Sequence, residues 1–171
     1  MIKIPNIIRS LSALACFQIG IHMSEDEDQK RFEVRRISRD CLSQIRHYGD
    51  LSAHTELVNA RFVGALVIAI STASGSGEEY DREIIDGLYN IFDFLIGLHR
   101  GSNYRATFPP QPLHVRRSVE QIEEEGGNEE VDAQMNNKVQ NIKYDAKRAK
   151  GRILNYFIEQ GNTKPDWWYN W

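Results

Sequence analysis

The chain has 171 residues, 41% of them hydrophobic and 26% charged, which predicts one folded globular domain and excludes a disordered chain. Its 21 basic and 24 acidic residues give a formal net charge of -3, which excludes a protein that coats nucleic acid by bulk positive charge alone. The two cysteines, Cys16 and Cys41, have neither metal-site spacing nor a disulfide framework, and indicate a reducing compartment.

The first 23 residues form an apolar N-terminal segment. Its apolar run, residues 10–21, is too short to span a bilayer, so we expect a short packed element and no membrane partner. A signal sequence with lipidation at Cys16 is the alternative, because the residues before Cys16 imitate a lipoprotein cleavage site.

Three main helices are predicted within residues 24–99. Ser24 followed by four acidic residues is typical of a helix N-terminus, and this first helix should reach Tyr48. One of its faces is apolar and holds Val34, Ile37, Cys41, Ile45 and Tyr48. The other face is basic and holds Arg31, Arg35, Arg36, Arg39 and Arg46.

The second and third helices are the expected core elements. The second should span residues 52–71, although a strand competes at its β-branched centre. The third should start at Asp81 and end by residue 99, and it should bury a broad apolar stripe made by Ile84, Ile85, Leu88, Phe92, Leu95 and Ile96.

Residues 100–128 are predicted as a long loop that is first basic and then acidic. The basic part contains Arg100, Arg105, Arg116 and Arg117, and the acidic part contains Glu123, Glu124 and Glu125 before a Gly-Gly break. The last main helix should span residues 129–160, followed by an aromatic tail at 161–171. The predicted fold is therefore all-α: a single domain, 1–171, built as a four-helix bundle with a short extra N-terminal helix.

No catalytic motif is present. The histidines are scattered, and the sequence contains no HExxH, no CxxC and no glycine-rich phosphate loop. The acidic run is more typical of a solvated surface than of a metal site. We therefore expect no enzymatic activity, no cofactor and no metal ion.

The basic residues predict an anionic partner. Tyr104 and Phe108 alternate with the loop arginines, so their rings could stack on unpaired bases while the guanidiniums pair with phosphates. The basic outer side of the last helix adds a second cluster, for which solubility alone is the alternative explanation. The predicted nucleic-acid contacts are Arg100, Tyr104, Arg105, Arg116, Arg117, Lys147 and Arg148.

Two further groups are candidate assembly residues. The carboxylates Glu123, Glu124 and Glu125 either fold back onto the arginines or meet the same segment of neighbouring copies, where repulsion would make assembly pH-dependent. The tail tryptophans either cover the chain's own core or dock on another subunit. These tryptophans are Trp167, Trp168 and Trp171.

The order of these features resembles the coat proteins of rod-shaped plant RNA viruses of the tobamovirus and benyvirus type. The similar motifs are ARFVGALVIAI from residue 60, LHVRRSVE from residue 113, the acidic segment, the long last helix and the aromatic close. They are short and cover residues 54–171. The family's C-terminal phenylalanine–glutamate pair is interrupted here, as Phe157-Ile158-Glu159.

The resemblance implies a non-enzymatic capsid protein that polymerises around single-stranded RNA, in a virion or in the cytoplasm. The arginine loop would line the RNA, and the carboxylates would modulate polymerisation. The alternative is a small helical adaptor subunit of a larger complex, such as a nucleoprotein, without self-polymerisation.

Overall fold

The computed structural model describes residues 5–19, 21, 23–72, 78–104 and 106–154. These residues form eight α-helices and one hairpin, so the described chain is mostly helical, as expected for the all-α class. The helices are α1 (Pro5–Ala15), α2 (Glu25–Tyr48), α3 (Leu51–Asn59), α4 (Phe62–Thr72), α5 (Glu78–Arg100), α6 (Pro112–Glu124), α7 (Gly127–Gln134) and α8 (Gln140–Leu154). The strands are β1 (Ser102–Tyr104) and β2 (Ala106–Phe108), which pair antiparallel.

Helix α2 begins and ends where the sequence predicted. The Ser24 hydroxyl accepts a hydrogen bond from the Glu27 amide at 3.4 Å, and four acidic residues occupy the first turn. Gly49 ends the helix by donating its amide to the Ile45 carbonyl at 2.7 Å. Both boundaries are local, because a cap and the helix dipole act within one turn.

The predicted second helix is two helices rather than one. Arg61 has a φ of 60°, in the left-handed region that interrupts an α-helix, and the axes of α3 and α4 differ by 55°. Within the described ranges no single helix is long and apolar enough to cross a membrane, although α3 and α4 pass that test when taken together.

Helix α5 lies in the core and confirms the third predicted helix. Leu88, Ile91 and Leu95 are fully buried, and the Phe94 ring meets the Phe62 ring of α4 edge-on at 5.4 Å between centroids. Gly101 ends α5 with a φ of 73°, where an added Cβ would lie 2.4 Å from the Phe108 carbonyl oxygen.

Ordered elements replace the predicted loop at residues 100–128. The chain forms the β1–β2 hairpin and then α6, which begins with Pro112 at a position where proline's missing amide costs nothing. Val115, Val119 and Ile122 of α6 are fully buried. The loop prediction was wrong because charged residues flank this 3–4 spaced apolar stripe and conceal it.

The predicted last helix, residues 129–160, is also broken. Helix α7 ends at Gln134, and α8 starts at Gln140 after a turn in which the Asn137 side chain accepts from the Val139 amide at 2.9 Å. The apolar residues of both helices still reach the core, since Val131, Ile142 and Ala149 are fully buried. Apolar spacing alone therefore missed the break. Residues beyond 154, including the predicted end of this helix and the aromatic tail, lie outside the described residues.

Helix α2 attaches to α5 through two ion pairs. Arg39 pairs with Glu83, and both side chains are nearly buried. Seven residues along α2, the buried Arg46 pairs with Asp93 of α5. Arg39 also donates a hydrogen bond to the Ala15 carbonyl at 3.2 Å and so joins the end of α1 to the same point. The basic face of α2 therefore points inward.

Removing one member of the Arg39–Glu83 pair should destabilise the protein strongly. We expect Glu83→Ala to lower the free energy of unfolding by about 3–5 kcal/mol, because it leaves a buried guanidinium unpaired. The double variant Arg39→Met/Glu83→Leu should lose less than Glu83→Ala, since it removes both charges while keeping the volume filled. Urea unfolding followed by circular dichroism measures both. A double variant that loses as much free energy of unfolding as Glu83→Ala, or more, would contradict a direct pair between Arg39 and Glu83.

Candidate nucleic-acid interface

Three arginines meet where α8 packs along α5. The Arg148 guanidinium carbon lies 3.9 Å from the centroid of the Phe92 ring, and that of Arg152 lies 5.6 Å from the same centroid. Arg100, in the last turn of α5, is close enough to influence the charge of Arg152. We call Arg100, Arg148 and Arg152 the arginine cluster.

The electrostatics of the arginine cluster are those of crowded like charges. Burial lowers the pKa of Arg152, and the neighbouring charges of Arg100 and Arg148 lower it further. No carboxylate of the described residues is among the causes of that shift. Burial, followed by the charge of Arg152, also lowers the pKa of His99, which favours its neutral form. The cluster is thus a local excess of positive charge.

Helix geometry gives these arginines a structural role as well. Arg100 and Arg152 both lie in the last turn of their helices, where the partial negative charge of the backbone favours cations. Each such interaction contributes about 0.3–1 kcal/mol at an exposed site. This accounts for a basic residue in the last turn of each helix, but not for the influence of Arg100 and Arg148 on the charge of Arg152.

Arg148 is committed to contacts within the chain. Besides the Phe92 ring, it donates a hydrogen bond to Asp145 at 3.0 Å, and its side chain is only 23% exposed. The prediction that Arg148 lies on an exposed outer face was therefore wrong. Lys147, its neighbour, is half-buried and has no ion pair among the described residues.

Arg116 and Arg117 lie on helix α6 and not on a loop. Both are exposed; Arg116 pairs with Glu120 one turn later at 2.9 Å, and Arg117 donates to the Asn59 side chain at 3.2 Å. The Asn59 contact directs Arg117 toward the end of α3. The basic residues predicted as one arm are thus placed on separate elements of the fold.

The two predicted stacking aromatics have different outcomes. Phe108 of β2 is 4% exposed, and its ring lies 4.6 Å from the His54 ring between centroids, so it anchors the hairpin and cannot stack on a base. Tyr104 ends β1, opposite Ala106, at the tip of the hairpin. Arg105, between them, lies outside the described residues, as do Trp167, Trp168 and Trp171.

The acidic residues at the end of α6 pair with an arginine that the sequence did not indicate. Arg61 bonds Glu124 at 2.8 Å and Glu125 at 2.9 Å, which joins the α3–α4 break to the α6–α7 turn. Glu123 is exposed. Glu124 and Glu125 therefore fold back on the chain, which is one of the two predicted alternatives. Their partner is Arg61, however, and not the predicted loop arginines.

A groove of about 330 Å³ lies beside Arg61. Its lining includes Arg9, Arg61, Glu125 and Ser12, and the buried Ser12 hydroxyl oxygen has no hydrogen-bond partner within the described part of the chain. Cys16 also lines it, and burial raises the pKa of the Cys16 thiol. A raised pKa makes a thiol less reactive at neutral pH.

Sequence analysis missed Arg152 as a site residue. Its only signal is the four-residue step from Arg148, which places both on one face of a helix. The link to Arg100 depends on tertiary packing and cannot be read from spacing. Among the described residues, no three metal-binding side chains are grouped closely enough to hold an ion.

Comparisons with known proteins identify no family. No protein-family model matches the sequence, and no curated protein matches it. The chain is similar to a crystal structure of an engineered protein at 17% identity with a TM-score of 0.32, covering 85% of this chain and 63% of that one. It therefore spans less than two thirds of the engineered protein, and a likeness this low supports no inference.

Neighbouring basic residues of α8 should differ in their effect on stability. We expect Arg148→Gln to lower the free energy of unfolding by about 1–2 kcal/mol, because it removes the contact with the Phe92 ring and the bond to Asp145. Lys147→Gln removes the same charge and should cost less than about 0.5 kcal/mol. Chemical unfolding of both variants measures the difference. Equal losses would show that Arg148 is not held by these contacts.

Proposed function

We propose that this chain is a non-enzymatic structural protein that binds the phosphates of single-stranded nucleic acid and self-associates. The arginine cluster supplies the main phosphate contact, and Tyr104 remains the predicted stacking aromatic. RNA is the favoured nucleic acid, and a coat-like assembly the favoured architecture, because of the resemblance to rod-shaped virus coat proteins.

The observation that carries the proposal is the crowding of positive charge around Arg152. Arg148 and Arg152 of α8 both lie over the Phe92 ring of α5, and after burial the charges of Arg100 and Arg148 further lower the pKa of Arg152. A bound phosphate would relieve that repulsion and form charge-assisted hydrogen bonds with Arg100 and Arg152. Arg148, already bonded to Asp145, would position the cluster and contribute less to binding.

The limited size of the cluster favours a single strand over a duplex. With a formal net charge of -3, the chain would not attract a duplex backbone by bulk positive charge. A compact group of arginines beside an aromatic residue suits a flexible strand, whose phosphates and bases can adapt to it. The α6 arginines, Arg116 and Arg117, provide a second place for such a strand.

Removing the cluster's charges should weaken binding to RNA. We expect Arg100→Gln/Arg152→Gln to reduce affinity for a fluorescent single-stranded oligouridylate by about tenfold or more, because two charge-assisted bonds are lost. The slope of log affinity against log salt should fall by about 1.4, or about 0.7 per phosphate contact. Fluorescence anisotropy over a salt series measures both quantities.

The matched control is Lys138→Gln/Lys143→Gln, which removes the same net charge near the start of α8. It should reduce affinity much less, since only a general field effect is lost. Arg116→Gln/Arg117→Gln tests the second position, and an intact helical signal in circular dichroism checks the fold of each variant. Equal weakening by cluster and control variants would show non-specific attraction. The proposal would be overturned if the wild-type chain did not bind RNA, or if its affinity for RNA did not depend on salt. The adaptor alternative would then remain.

A further inference from the structure

Helix α2 exposes an apolar stripe to solvent. Ile37 is 52% exposed and Val34 38%, and the exposed Cys41 and Tyr48 continue the same line at three-, four- and seven-residue steps. This spacing is that of a coiled-coil seam. An amphipathic helix normally buries such a face, so the stripe requires an explanation.

The orientation of α2 follows from its arginines. Arg39 and Arg46 are buried in ion pairs with Glu83 and Asp93 of α5, and they lie on the side of α2 opposite to Ile37 and Cys41. Turning α2 to bury the stripe would expose both ion pairs to water and break the bond from Arg39 to α1. The apolar stripe is therefore fixed on the outside.

The stripe is symmetric about Cys41. Val34 and Tyr48 each lie seven residues from Cys41, and Ile37 and Ile45 each lie four residues from it. If two copies of α2 cross antiparallel at Cys41, the exposed Val34 of one meets the exposed Tyr48 of the other. The exposed Ile37 then meets the edge of Ile45, which is partly buried against its own core. A twofold contact places the same surface on both subunits, so it requires this kind of self-complementarity.

The charges beside the stripe are paired within the helix. Arg36 bonds Glu33 at 2.7 Å and Asp40 at 3.2 Å, so the rim carries a closed chain of ion pairs. Like charges brought together at an interface would repel, and pairing them internally lowers that cost. On another side of α2, Arg35 donates to the Phe17 carbonyl at 3.1 Å and so ties the residues that follow α1 to α2.

We propose that α2 is a homodimer interface, in which the Val34–Ile37–Cys41–Tyr48 stripe packs antiparallel against the same stripe of a second copy. This deepens the self-association part of the proposed function by naming its contact, and it does not require nucleic acid. A dimer measured in the absence of RNA therefore separates failure of this interface from failure of RNA binding.

A charge placed in the stripe should dissociate the dimer. We expect the full chain, free of nucleic acid, to sediment as a concentration-dependent dimer, and Ile37→Glu to raise the dimer dissociation constant by at least about tenfold. The matched control is Leu113→Glu, which places the same charge at an apolar residue of α6 that is 78% exposed and outside the stripe. It should leave the dimer unchanged.

The symmetry centre has its own test. In a Cys16→Ser background, where Cys41 is the remaining cysteine, a short bismaleimide should join two chains through Cys41, and Ile37→Glu should abolish the crosslink. A monomeric chain without crosslink would overturn the interface and would mean that another part of the same chain covers the stripe. Dimers that survive Ile37→Glu, or that Leu113→Glu disrupts equally, would also overturn it. Unchanged circular dichroism confirms that each variant is folded.

Discussion

The architecture depends on two buried ion pairs between α2 and α5. A guanidinium that is buried away from water needs a charged partner, so Arg39 and Arg46 face Glu83 and Asp93. This requirement outweighs the burial of the apolar face of α2. Burial raises the pKa of the Glu83 carboxyl, and the charge of Arg39 and its hydrogen bond oppose that shift. With the basic face inward, the apolar stripe of α2 is left outside. The two ion pairs thus determine which face of α2 is exposed.

Helix α5 connects that joint to the proposed nucleic-acid contact. Asp93 holds Arg46 of α2, while the adjacent Phe92 lies beneath Arg148 and Arg152 of α8. Successive residues of a helix point about 100° apart, so one turn of α5 can position two surfaces in different directions. A protein that binds a strand and also binds its own copies needs such a division, because neither contact then blocks the other.

Part of the fold was predictable from residues close together in the sequence. The rest depends on contacts between residues that are far apart in the sequence. The bounds of α2 were predictable because Ser24, the acidic first turn and Gly49 act within one turn of the chain. The break at Arg61 was not, since it rests on a left-handed residue held by Glu124 and Glu125, 63 and 64 residues later in sequence. The candidate site was also predictable only in part. Its arginines were identifiable by charge. The influence of Arg100 on Arg152 and the burial of Phe108 against His54 depend on packing between distant segments.

The orientation of α2 is the central claim, and the thiol of Cys41 reports on it directly. Dilute native protein would be treated briefly with N-ethylmaleimide, and labelling of each cysteine would be read by peptide mass spectrometry. Because Cys41 is exposed while Cys16 is half-buried with a pKa raised by burial, Cys41 should react at the rate of a free peptide thiol and Cys16 much more slowly. If Cys41 reacts only after denaturant is added, at a concentration where the chain sediments as a monomer, the apolar face of α2 is buried within the chain. Both the inward arginines and the external stripe are then wrong.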